Sequence, residues 1–426
     1  MKALLVLLVL TSVDELFRTG GCTSHDRVLS ITPRTQDQVD VLKNLSTHYE
    51  AVLWRPVSPS LIKEGNLVHL MVPSKTSDAV MGVLKEHSIK HQVLLRNGEA
   101  LIEMQKRNDS TYMRSPSSNN ERYHSLEDIY HWINRTTQEH PDMVKAILIG
   151  SSFEKRPIYI MKVTSKKRNE GNRAMWLDCG IHAREWITPA FCMRFVQNAL
   201  AHYNINQEIT NILDNMDVYV LPVMNPDGYK YTWTTNRMWR KNRSFSENSS
   251  CVGVDLNRNF DANWCTEGAS DDPCSEIYCG QYPESEPESA AVAKFLRSHK
   301  ESIKLYFTIH SYSQMLLFPY SYTYDKTENH NDLLAMAHEA ATRIRRHYHN
   351  TYTYGAGANT IYLAPGGSDD WAYNLGIKYS FTLEMQDRGR YGFLLPPSLI
   401  HRACDEALLA VKTITTRVIE KTQEPL

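Results

Sequence analysis

This chain has no apolar run long enough to cross a bilayer, its apolar start included. It has almost no net charge, -1 over 426 residues, so no global field marks it for nucleic acid or an acidic membrane surface. Its cysteine cluster, Cys251, Cys265, Cys274 and Cys279, lacks CxxC spacing and histidine partners, which argues against a zinc knot there. It has no internal repeat and no low-complexity tract. What remains is an ordinary globular composition on a chain long enough for two domains.

The start, MKALLVLLVL, places Lys2 before an apolar core from Ala3 to Leu10, the form of a signal peptide. The small stretch Thr19-Gly20-Gly21 gives the cleavage region, so residues 1–21 are read as the signal. The competing reading is a buried N-terminal helix. Eight cysteines in an exported chain favour disulfides over thiols. Sequons at Asn44, Asn108, Asn134, Asn242 and Asn248 fit export, although such triplets also arise by chance. The expectation is a soluble, secreted protein.

Residues 22 to about 105 read as a small α/β unit. QVDVLKNLSTHY and SDAVMGVLKEHS have helical spacing, while AVLWRPV, NLVHLMV and HQVLLRN read as strands. KRNDSTYMRSPSSNNERYHS follows, polar and rich in Ser and Asn, and reads as an exposed linker. Arg114 inside it is a natural protease site; an uncut interdomain linker is the plainer alternative. From Tyr123 onward, the apolar runs AMWLDCGI, DVYVLPVM, IKLYFTIH and IKYSFTLEM alternate with helical segments such as FCMRFVQNALAHY, NDLLAMAHEAATRIRRHY and SLIHRACDEALLAVKTITTRVIE. That alternation predicts an α/β domain with a largely parallel or mixed sheet covered on both faces. Sites in such sheets lie at the carboxyl ends of strands.

Three strand ends carry chemistry. GIHARE follows AMWLDC, His310 ends IKLYFTIH, and Glu384 ends IKYSFTLE. A single histidine at a strand end is more often structural. Together, however, His182, Glu185, His310 and Glu384 supply two imidazoles, one carboxylate and a spare carboxylate. Zinc catalysis uses such a set: three ligands leave a position for water, and a fourth group takes the proton. The word is HxxE with a distant histidine, not HExxH.

The words GIHAREW, NRMWRKNRS, DLNRNF, IHSYSQ, TIYLAPGGSDDW and FTLEMQDRGRYGFLLP, in this order, resemble the metallocarboxypeptidases of the pancreatic A/B family over nearly the whole chain. Two histidines and one glutamate are the ligand set of carboxypeptidase A. The resemblance implies a mixed central sheet covered by helices, preceded by a small α/β activation domain. Its expected domains are the signal 1–21, an activation segment 22–114 and a zinc carboxypeptidase domain 115–426. It implies one zinc on His182, Glu185 and His310, with Glu384 as general base and Arg240 stabilising the oxyanion. Asn257 and Arg258 would clamp the substrate carboxylate, and Tyr362 would close over the bound C-terminal residue. Arg184, Ser311 and Tyr312 would line subsites further along the peptide. It also implies the disulfides Cys179–Cys192, Cys251–Cys274 and Cys265–Cys279, leaving Cys22 and Cys404 unassigned.

Asp369 falls where B-type enzymes of the family carry an aspartate at the floor of the pocket, so C-terminal Lys or Arg is the expected substrate end. The plainer reading is that Ser368 or Asp369 only caps a helix begun by DDWAYNLG. QVDVLKNLSTHYEAVLW, IGSSFEKRPIY, CGQYPESEPE and YLAPGG are nearest to a plasma branch of the B-type enzymes. That branch implies partly degraded fibrin, kinins and anaphylatoxins as substrates, and activation by a trypsin-like protease such as thrombin or plasmin. A digestive pancreatic-type enzyme is one alternative. A catalytically inactive binding protein is another, but such proteins lose a ligand or the base. Gln386 departs from the family pattern, which has arginine there.

Overall fold

The computed structural model describes residues 25–107, 122–165, 167, 173–246 and 249–423. The expected signal segment, Cys22, Asn108, Arg114 and Asn248 lie outside the described residues.

The first unit is a four-stranded antiparallel sheet in the order β2-β3-β1-β4, made of β1 (Arg27–Ile31), β2 (Val52–Arg55), β3 (Val68–Val72) and β4 (His91–Leu95). Helices Gln36–His48 and Ser77–Glu86 cover one face, burying Val39, Leu42, Leu45, Val80 and Leu84. They meet Leu29, Ile31, Leu53, Val68, Leu70 and Val72 of the sheet in one cluster. Because strand side chains alternate, the intervening residues must face the other way. Those are Val28, Trp54, His69 and Met71. Val28, Trp54 and Met71 join Met238, Tyr312, Phe393 and Leu394 of the second unit in a shared apolar cluster. The pleat of this sheet thus fixes which side chains meet the larger domain.

The second unit is built on an eight-stranded mixed sheet in the order β11-β10-β12-β9-β7-β8-β6-β5. In chain order the strands are β5 (Val144–Ser151), β6 (Pro157–Val163), β7 (Ala174–Cys179), β8 (Asp217–Leu221), β9 (Ile303–Ser311), β10 (Met315–Phe318), β11 (Thr353–Ala356) and β12 (Tyr379–Met385). The central four, β12-β9-β7-β8, run parallel. Both faces of β7 are buried, as a central parallel strand requires. Met175, Leu177 and Cys179 pack under helices Leu126–Glu139, Ile187–His202, His330–Tyr348 and Ile400–Gln423. Trp176 faces helix Pro287–His299 and Trp371 on the other side.

Two expectations need correction. The linker does not extend to Ser125. Lys106 still belongs to helix Gly98–Lys106, Tyr123 is buried, and its hydroxyl donates to Leu395 O at 2.8 Å. Ser125 caps helix Leu126–Glu139 in a reciprocal capping box with Asp128. Asn242 is fully buried and its amide donates to Glu286 and Glu288, so its sequon is no surface acceptor. Asn44 and Asn134 are exposed. Cys404 is a free, buried thiol on the last helix.

Candidate active site

β7 ends at Cys179, and Gly180 turns the chain with φ +67°. A Cβ there would lie 3.3 Å from the Val223 backbone, so the turn suits glycine twice over. The turn delivers His182 and Glu185 just before helix Ile187–His202, and the Cys179–Cys192 disulfide ties strand end to helix. The pairs Cys251–Cys274 and Cys265–Cys279 are also bonded. His310 and Glu384 stand opposite each other on the adjacent parallel strands β9 and β12.

These elements bring three donors together. His182 Nδ1 lies 2.7 Å from Glu185 Oε1, and His310 Nδ1 lies 3.3 Å from Glu185 Oε2. The two Nδ1 atoms are 3.1 Å apart. Ligand atoms of the three buried residues all fall within 4.8 Å of one another. Two imidazole nitrogens at this distance cannot both carry a proton, and a bare N,N,O set is one that suits zinc. The outer nitrogens are also engaged. His182 Nε2 lies 3.2 Å from Asp255 Oδ1, and His310 Nε2 lies 3.2 Å from Thr308 Oγ1. Asp255 accepts from Arg240 Nη2 and Nε at 2.8 and 3.2 Å. Burial opposes its ionisation, yet Arg240 and His182 hold its carboxyl well below the usual range.

Glu384 faces the same space. Its Oε2 is enclosed and has no hydrogen-bond partner, and burial, with Glu185 adding to it, pushes its carboxyl up to about 7. Arg240, Asn257, Arg258, Tyr362 and Asp369 line one cavity with the two histidines, Glu185 and Glu384. Arg184, Ser311 and Tyr312 line the same cavity, together with Trp54 and Arg55. Arg258 is braced by donating to Asn257 O and Gly268 O, while Asn257 Oδ1 accepts from the Ser368 N–H at 3.0 Å.

The capping alternative for Asp369 does not describe this helix. Gly367 is the N-cap of Ser368–Asn374, with no side-chain cap bond. Asp369 is 4% exposed, and its Oδ2 accepts from Thr382 Oγ1 at 2.8 Å. Asp370 turns elsewhere: its Oδ2 accepts from the N–H groups of Ser321 and Tyr322 at 2.8 and 3.0 Å.

The sequence reading passed over the residues with which the first unit covers the cleft. Trp54 packs against Tyr312 and Phe393, with ring centroids 6.2 and 5.5 Å away. His69 stacks on Tyr312, and its Nδ1 lies 2.8 Å from the Tyr312 hydroxyl. Arg55 donates to Ser313 Oγ, and Arg184 donates to Leu53 O. Below, Gln105 donates to Phe393 O and Leu395 O and accepts from Arg237 Nε. Nothing local in AVLWRPV or NLVHLMV distinguishes these residues from ordinary strand positions. Asp255 was also missed, although it stands inside the quoted word DLNRNF. Gln386 is 5% exposed and its amide nitrogen has no partner, so the departure from arginine leaves an unsatisfied donor.

A family model described as zinc carboxypeptidase matches residues 129–410, and one described as carboxypeptidase activation peptide matches residues 29–105. Carboxypeptidase B2 of Bos taurus is 52% identical over 396 residues, covering 92% of this chain and 93% of that protein. Carboxypeptidase B of Bos taurus is 44% identical over 420 residues, covering 99% of each. A crystal structure of thrombin activatable fibrinolysis inhibitor superposes with a TM-score of 0.90 at 51% identity, covering 93% of this chain and 99% of that one.

Proposed function

The chain belongs to the zinc carboxypeptidase family, and we propose that it is a secreted zymogen that removes C-terminal Lys or Arg from peptides and proteins once cut after Arg114. On this reading residues 1–21 are a signal and 22–114 an activation segment, with 115–426 as the enzyme. The observation that carries the specificity is Asp369: a buried carboxylate on the cavity wall, held by Thr382 and matched to no cation among the described residues. A buried charge needs a partner, and a C-terminal Lys or Arg brings one of the right reach.

His182, Glu185 and His310 would hold one zinc per chain, which would supply a Lewis acid for the scissile carbonyl and for water. Glu384 is the general base and then returns the proton to the leaving amine. Its enclosed, unpartnered Oε2 leaves an oxygen free to accept and return that proton. Arg240 stabilises the developing oxyanion; its two bonds to Asp255 support this reading by holding the guanidinium in one orientation. Asn257 and Arg258 bind the terminal carboxylate, Tyr362 closes over the C-terminal residue, and Arg184, Ser311 and Tyr312 hold residues upstream of the scissile bond. Glycans belong on Asn44, Asn108, Asn134 and Asn248.

The likeness to thrombin activatable fibrinolysis inhibitor supports a role in restraining fibrinolysis in plasma. Partly degraded fibrin, kinins and anaphylatoxins are the corresponding substrates, and thrombin or plasmin the activator. A digestive role is less supported: identity to carboxypeptidase B is 44%, against 52% for carboxypeptidase B2. An inactive binding role finds no support either, since every ligand and base position is filled. Among the described residues no helix is long and apolar enough to cross a membrane. The test is to cut the purified chain with trypsin or thrombin and compare release of C-terminal Arg, Lys and Phe. Faster release of Phe than Arg refutes the proposal.

A further inference from the structure

We infer that Asp178, acting through the Thr308 hydroxyl, is a positioning residue that fixes the orientation and tautomer of His310. The inference rests on the proposed zinc site and extends it by one layer.

Asp178 lies on β7 and Thr308 on β9, in cross-strand register, as Trp176 and Tyr306 also are. The register places all four side chains on one face of two adjacent parallel strands, and His310 follows two residues on from Thr308. Asp178 is fully buried and collects three donors. Trp176 Nε1 and Tyr306 Oη donate to its Oδ2 at 2.7 and 2.8 Å, and Thr308 Oγ1 donates to its Oδ1 at 2.7 Å. No arginine or lysine among the described residues forms an ion pair with it. A buried carboxylate without a cation is expensive, and three neutral donors could be satisfied by a cheaper arrangement. The charge is accounted for if it serves something beyond the hydroxyl, and beyond the hydroxyl lies His310.

The hydrogen-bond arithmetic is directional. A threonine hydroxyl has one proton and two lone pairs. A carboxylate only accepts, so the Thr308 proton points at Asp178 Oδ1. Thr308 Oγ1 can then offer His310 Nε2 only a lone pair, across their 3.2 Å separation. Nε2 must therefore carry the imidazole proton, and Nδ1, which faces Glu185 and His182, is left bare. That is the tautomer a metal needs on that side. Burial pushes the Asp178 carboxyl up, and the donors Thr308, Trp176 and Tyr306 counter it. The hydrogen-bond directions are those of the carboxylate; an acid proton on Oδ1 would reverse the chain and put the imidazole proton on Nδ1. His182 reaches the same end by a shorter path, its Nε2 facing Asp255 directly. The two histidines are thus oriented by different carboxylates.

The experiment measures zinc affinity of the full-length chain by chelator competition, with zinc content and the melting temperature of the zinc-free protein as parallel readouts. Thr308→Val preserves shape and removes the hydroxyl; Thr308→Ser restores it; Asp178→Asn removes the charge. Outer partners of metal-binding histidines typically contribute about 10–100-fold in metal affinity. The expected result is zinc affinity weakened by about that factor in Thr308→Val and Asp178→Asn, restored in Thr308→Ser, with the zinc-free melting temperature of Thr308→Val matching that of Thr308→Ser. The inference is overturned if Thr308→Val or a folded Asp178→Asn binds zinc as wild type does, or if Thr308→Ser is as weak as Thr308→Val. Failure of both Thr308→Val and Asp178→Asn to fold assigns the pair to the fold alone and overturns it too. A wild-type chain that takes up no zinc defeats the metal site itself, a separate outcome.

Discussion

The cover over the cleft should loosen in acid, and His69 is the reason. Its ring is 2% exposed, pressed on Tyr312, and so close to Gly389 that a Cβ there would lie 2.1 Å from Cε1. Burial first, and then the charge of Arg55, lower its pKa from 6.5 to about 4. The docked form therefore binds His69 with no proton, whereas a released cover regains an ordinary histidine. The sign follows from linkage: below the free pKa the released state takes up more protons, so docking weakens as pH falls from about 6.5 toward 4. With these two values, docking at pH 5 should be about 30-fold weaker than at pH 7.5. Other groups at this face titrate as well, Glu384 among them, so the decisive quantity is a difference. The linker is cut, the two fragments are left associated, and their dissociation constant is measured by sedimentation at both pH values. The same is done for His69→Gln, which keeps a polar contact to the Tyr312 hydroxyl and cannot titrate. The wild type should lose about 30-fold more affinity than the variant over this range. Equal losses in the two proteins would show that His69 does not sense pH at this interface.

Three further outcomes follow from the site. Glu384→Gln should retain zinc by metal analysis while turnover of a C-terminal arginine substrate falls by about 100- to 10,000-fold; loss of the zinc would mean that Glu384 is a ligand. Arg114→Gln should resist activation, and N-terminal sequencing of the cut wild type should begin Ser115-Pro116-Ser117; normal activation of the variant moves the cleavage elsewhere. Asp369→Ile should leave zinc in place and cut the preference for Arg over Phe by at least about thirtyfold, because a buried charge left without its partner costs about 2–5 kcal/mol; an unchanged ratio removes Asp369 from the pocket floor.

What could be read in the sequence divides along a physical line. Words confined to one turn or one strand end were legible: GIHARE, FTIH and FTLE each announce a side chain where a central parallel strand stops, and the fold class follows from the apolar runs between them. Elements whose local pattern is mixed were not singled out. Arg27–Ile31 is too short to show alternation, and Val144–Ser151 lies at the sheet edge with much of its surface exposed. Helix Gly98–Lys106 buries Gln105, a polar residue that reads as surface until its partners on Phe393, Leu395 and Arg237 are known.

The same line runs through the site. Asp178 was inside a quoted strand, yet nothing in AMWLDCGI distinguishes it from a residue at a strand end. Its meaning comes from Thr308, 130 positions away, which only the register of β7 on β9 brings within 2.7 Å. Arg55 and His69 are in the same position: Arg55 lies 258 positions from Ser313 and His69 lies 243 from Tyr312. Sequence words identify groups that act on a substrate, because chemistry restricts residue type. They do not identify groups that act on other side chains, because many residue types can fill an orienting or covering role and the pairing is written in three dimensions. The residues most informative about how this site is held and covered, Asp178, Thr308, His69 and Trp54, are for that reason the ones that had to wait for the fold.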